Sequence, residues 1–225
     1  MCFSATASFT LAGALVPLGA ITLANARGTG SPLWPFAVYP LAFGLQQAIE
    51  GALWLGIGAE DPALTIASAR GFLFFSHFFW LAWVPLSVWL TEPPGRRRRG
   101  LGWLSVIGCL FGLSIFLPAA LLRDWLYVEV IHRSIEYRTT LIYEGIISRT
   151  ALKLFYAAIV VSALLLSSHR HIRIFGALVA VSLVATYGFF AYAFISVWCF
   201  FAAILSAYLA WVVIARPARG TAPPG

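Results

Sequence analysis

Glu50, His77 and Cys2 are the side chains of this sequence whose types could hold a metal ion or move a proton. Glu50 lies in the run LAFGLQQAIEGALWLGIG, residues 41–58, which has the length and apolarity of a membrane span. An ionisable group at the bilayer centre costs roughly 2.5–3.5 kcal/mol on insertion scales, so Glu50 needs partners. Gln46 and Gln47 precede it by four and three residues and share its face on a helix. Gly44 and Gly51 fall near the same stripe, which lets a neighbouring helix approach. The polar stripe is therefore expected to face protein rather than lipid. In the next apolar run, RGFLFFSHFFWLAW, His77 is the only titratable side chain after Arg70. By helical rise, Glu50 lies about 12 Å and His77 about 10 Å below the same membrane boundary. Consecutive antiparallel helices are usually neighbours. A Glu50–His77 pair, supported by Gln46, Gln47 and Ser76, is the expected functional constellation.

Three chemistries suit it. In the first, Cys2 of MCFSATASF joins as a metal ligand. Removal of the initiator methionine would give Cys2 a thiol and an α-amine on one residue. Cys2, Glu50 and His77 would then fill three positions around zinc or copper and leave one for water. Cys2 starts about 10 Å above the other two, so the lead CFSATAS must fold inward. In the second, Glu50 and His77 carry protons for a small-solute transporter. In the third, Gln46, Gln47, Glu50, Ser76 and His77 are a structural network in a non-catalytic helper subunit. No CxxC, HxxxH or HExxH motif is present. Thr186, Tyr187, Tyr192 and Ser196 are candidates to line the same cavity. GCLFG places Gly108 and Gly112 in a GxxxG pattern, expected for close helix packing or a dimer face. His169 and His171 read as solvated loop residues, and His132 joins a site only if its loop folds over it.

The elements that must position these residues follow from composition. Of 225 residues, 61% are apolar and 10% charged, where a soluble domain carries about 25% charged residues. The expected fold is all-α: a polytopic membrane protein of about seven transmembrane helices, near 5–25, 33–57, 67–91, 101–122, 151–168, 173–190 and 193–214. They form one domain, 1–215, followed by a disordered cytoplasmic tail, 216–225. The last two spans need a tight turn between Gly188 and Ala193. Nine basic residues fall on one side of this arrangement: Arg27, the Arg96 to Arg99 run, Arg170, Arg173, Arg216 and Arg219. The other six share their side with six acids. The positive-inside rule then puts the N-terminus outside and the C-terminus in the cytoplasm. The outer loop 123–150 is rich in β-branched and aromatic residues and reads as a small β-hairpin or an amphipathic interfacial helix. The net charge of +7 reflects topology. Nothing resembles the basic, aromatic-lined groove of a nucleic-acid binder. The three cysteines form no disulfide framework.

MCFSATASF, PLAFGLQQAIEGALW and SHFFWLAWVPLSV together resemble a family of uncharacterised bacterial multi-pass membrane proteins. Its members begin Met-Cys-Phe-Ser-Ala and carry Gln-Gln-x-x-Glu-Gly-x-x-Trp. The matching positions are Cys2, Phe3, Ser4, Gln46, Gln47, Glu50, Gly51 and Trp54. The resemblance covers the first 90 or so residues and implies the bacterial inner membrane. It implies no activity. Alkaline ceramidase-type hydrolases share the topology but need several intramembrane histidines and an aspartate. Retinal proteins need a lysine in the last span, and the one lysine here is Lys153. The expectation is an outward-facing polar pocket between helices 1–3 that binds a metal ion or small polar ligand. The other expected partners are the bilayer and either a second copy or another membrane subunit.

Overall fold

The computed structural model describes residues 4–131, 134–190 and 194–215. Seven helices run through the described residues: α1 (Ala5–Gly28), α2 (Trp34–Gly58), α3 (Pro62–Thr91), α4 (Arg96–Leu121), α5 (Arg149–Leu165), α6 (Arg170–Phe190) and α7 (Phe194–Ala215). Each expected span falls on one of them. The expected turn at 188–193 lies partly outside the described residues. So do Cys2, His132, Tyr192 and the tail. Five helices, α1, α3, α4, α6 and α7, are long and apolar enough to cross a membrane. Gln46, Gln47 and Glu50 dilute α2, and α5 has 17 residues, the short end of what a bilayer requires.

Local chemistry starts the helices. Ser4, Asp61 and Ser148 cap α1, α3 and α5 by accepting from backbone N–H groups two or three residues on, at 2.9–3.2 Å. These caps satisfy donors that have no partner within the helix. The chain then packs α1 on α2, α2 on α3 and α3 on α4, while α7 returns to lie against α1, α2 and α6. Between α3 and α4 the approach is so close that a Cβ on Gly108 would sit 2.1 Å from the Leu81 carbonyl oxygen, and one on Gly112 3.0 Å from that of His77. The GxxxG pattern is thus used inside the molecule.

Helix α3 is interrupted. Phe74–Phe79 forms a π turn, with the Trp80 N–H donating to the Phe75 carbonyl. Such a turn inserts one residue into the helical ladder and shifts the side chains around it.

The loop expected as hairpin or helix is a hairpin, β1 (Leu126–Ile131) with β2 (Ser134–Thr139), antiparallel in the register Leu126↔Thr139 to Ile131↔Ser134. Period-2 alternation decides it. Ile135, Tyr137 and Thr139 are buried, while Arg138 between them is exposed. Tyr137 stacks on Phe72 of α3, 4.7 Å between centroids and 3° between planes. Glu129 faces Glu136 across the strands. This like-charge pair is bridged by Arg138, at 3.1 Å and 3.2 Å.

At the opposite end, Glu92 ties the α3–α4 loop to the α5–α6 loop. It is 4% exposed. It accepts from the Ser168 N–H at 2.9 Å, from the Ser168 hydroxyl, and from Arg97 at 3.4 Å. His169, expected to be solvated, is partly buried and bonds the Thr91 carbonyl oxygen through Nε2 at 3.1 Å. Burial pushes the Glu92 carboxyl up, but the Ser168 bonds and Arg97 outweigh it and hold it below the usual range.

Two predictions follow from this packing. Gly108→Val forces α3 and α4 apart and is expected to cost about 1–3 kcal/mol or more, read as a fall in melting temperature in detergent. A carboxyl depressed in the folded state stabilises above its unfolded pKa, and that contribution is lost as pH falls through the folded value. Wild type is therefore expected to lose more thermal stability than Glu92→Gln between about pH 5 and about pH 3.

Candidate functional site

The polar stripe of α2 is fully buried: Gln46, Gln47 and Glu50 each expose 0% of their surface. Gln47 Nε2 donates to Glu50 Oε2 at 3.2 Å, and Ser196 Oγ of α7 donates to Glu50 Oε1 at 2.6 Å. Trp80 Nε1 of α3 donates to Gln46 Oε1 at 2.7 Å. The stripe faces protein, as its spacing predicts, and joins α2 to both α7 and α3.

His77 takes a different direction. It is 5% exposed and sits in the π turn, with Nδ1 3.0 Å from Ser76 Oγ. No hydrogen bond or ion pair connects it to Glu50. The π turn re-aims Ser76 and His77, and both line a cavity bounded by α4, α5, α7 and the hairpin. Ser196, which donates to the Glu50 carboxylate, lines the same cavity.

That cavity has a volume of about 190 Å³. An engineered cavity of about 150 Å³ is enough to hold benzene. Its deep wall carries Ser76, His77 and Ser196; its mouth carries Arg138, Arg149 and Lys153. This cavity is not the pocket expected between helices 1–3: among the described residues, no α1 or α2 side chain lines it. Small residues close the space between α1 and α2: a Cβ on Gly19 would lie 2.3 Å from Leu41 N. Of the other candidates, the Thr186 hydroxyl donates to Ser182 O at 2.7 Å within its own helix, and Tyr187 is 52% exposed.

Three cations line the mouth, and two of them are ion-paired. Arg149 is engaged by Glu144 at 2.9 Å and by the Thr139 carbonyl at 3.0 Å. Glu144 in turn is held below the usual carboxylate range by the Arg149 hydrogen bond, the Leu141 N–H and the Arg149 charge. Lys153 Nζ lies 5.5 Å from the centre of the Phe194 ring, and no acid pairs with it among the described residues. Glu136 is the acidic side chain of the lining. Arg149 and Lys153 escaped sequence reading because acids on the same side of the sequence balance them in number. The available signal was their position, since two cations in the first turns of a helix oppose its dipole.

Among the described residues, no three His, Cys, Asp or Glu side chains gather where a metal ion could bind. Cys2, the expected third ligand, lies outside them.

Replacing Ser196 with Ala removes a buried hydrogen bond to a carboxyl group. It is expected to lower unfolding stability in detergent by about 1–3 kcal/mol, measured by thermal melts. An unchanged melting temperature would mean this bond does not hold α7 in place.

Neither a curated protein nor a solved structure matches the chain. Residues 1–223 match a family of unknown function, DUF6629, and the chain belongs to that family.

Proposed function

We propose that this protein is a seven-span integral membrane protein of the bacterial inner membrane, N-terminus outside and C-terminus in the cytoplasm. Its hairpin-roofed cavity captures a small anion from the outer side. The observation that carries this reading is the mouth formed by Arg138, Arg149 and Lys153 above Ser76, His77 and Ser196. Glu129 and Glu136 pair with Arg138 and Glu144 pairs with Arg149, which leaves Lys153 as the mouth cation that no salt bridge engages among the described residues. In a cavity with apolar walls such as Phe111 and Ile115, that charge acts through a lower dielectric than water. Arg149 and Arg138 present planar forks suited to carboxylate or phosphate oxygens, and Lys153 supplies a point charge. The serine hydroxyls and the imidazole offer hydrogen bonds at depth. The orientation rests on the nine basic residues that share one side of the sequence.

The test is calorimetric titration of the purified protein in nanodiscs with acetate and inorganic phosphate. One anion per chain is expected, with affinity falling as ionic strength rises. Lys153→Met and Arg149→Gln are each expected to weaken it about ten-fold, the loss of one charge-assisted contact. Absence of saturable binding by either anion would overturn the reading. Stoichiometric zinc or copper in the purified protein, lost in Cys2→Ala, Glu50→Gln and His77→Ala, would replace it with the metal site.

A further inference from the structure

A second chamber lies next to the first. It is lined by apolar and aromatic side chains, among them Tyr39, Phe43, Trp80, Val160, Phe175 and Ala202. Three side chains, Tyr156, Trp198 and Cys199, belong to both linings, so the chambers stand on either side of one wall. The two follow the same helix faces: Arg149, Lys153 and Tyr156 continue along α5 into Val160 and Leu164, and His77 continues along α3 into Trp80 and Val84. From Arg149 to Leu164 the path along α5 is about 22 Å.

We propose that the two chambers form one site for a single-chain anionic amphiphile, a carboxylate or phosphate head bearing one alkyl tail. The inference rests on the anion reading of the first cavity. The head sits among Arg138, Arg149 and Lys153, and the tail passes Tyr156 and Trp198 into the apolar chamber. Charge complementarity at one end and continuity of the apolar lining at the other select this occupant. A small hydrophilic anion has no use for the inner chamber, and a neutral lipid none for the cationic mouth. The inner chamber measures about 40 Å³, room for roughly three water-sized groups, so it admits one narrow chain and no branched one. The wall is built to yield. Tyr156 and Trp198 meet edge to face at 5.7 Å, and the Trp198 indole N–H reaches the Val179 carbonyl at only 3.4 Å.

The experiment titrates full-length protein in nanodiscs with straight-chain carboxylates from acetate to octanoate, and in parallel with the matching alkyl phosphates. Short chains are chosen because they stay dissolved in water. Affinity is expected to rise about four-fold for each methylene buried, and so on the order of fifty-fold over three. The head that binds more tightly at equal chain length names the source. Ala202→Phe plugs the inner chamber. It is expected to flatten the series while leaving acetate or phosphate affinity unchanged. Val160→Phe, on another helix, makes the same plug if Ala202→Phe does not fold. A flat wild-type series with acetate binding intact overturns the tail assignment and leaves the anion site standing. So does a rising series that neither plug alters. Failure of every anion to bind overturns both.

Discussion

The hydrogen bond from Ser196 to Glu50 is the contact on which the rest of the arrangement depends. Within lipid, a carboxyl group can find partners only in the protein itself. Gln47 lies on its own helix and offers one bond. Another comes from α7, which returns to lie against the second helix. Apolar packing alone does not demand this, because lipid tails receive leucine and phenylalanine as readily as protein does. Once α7 is held against α2, its Ser196 and Cys199 also become the wall of the cavity under the hairpin. Architecture and site share one polar contact.

Much of this was legible from local pattern. Runs of about twenty apolar residues located every helix. The spacing of Gln46, Gln47 and Glu50 foretold a face turned toward protein, and the β-branched and aromatic residues of 123–150 suggested a hairpin. The π turn was not legible. FFSHFFW is apolar and aromatic on both sides of Ser76 and His77, so an inserted residue leaves no break in periodicity. Yet His77 lies in that turn, beside Ser76, and lines the cavity under the hairpin. The Glu92–Ser168 clamp was hidden for a different reason, since its partners are 76 residues apart in loops with no period of their own.

The cavity illustrates how charge counting can mislead. Six basic and six acidic residues on one side of the sequence suggest neutrality. In the fold, Asp61 caps α3, and Glu129 pairs with Arg138 across the hairpin. What reaches the mouth is a residue-by-residue remainder: Arg138 is met by Glu129 and Glu136, Arg149 by Glu144, and Lys153 by no salt bridge among the described residues. Arg149 and Lys153 sit where the α5 dipole already favours anions, so helix and side chains act on a bound anion with the same sign.

The contact between Ser196 and Glu50 joins residues 146 positions apart. Ribosomal synthesis adds about 5–20 residues per second, so Glu50 emerges roughly 7–30 seconds before its α7 partner exists. Throughout that interval α2 must be sheltered by Gln47 and by whatever insertion machinery surrounds it. A chain truncated before residue 196 never completes this bond. The contact that joins α2 to α7 is therefore among the last that synthesis allows to form.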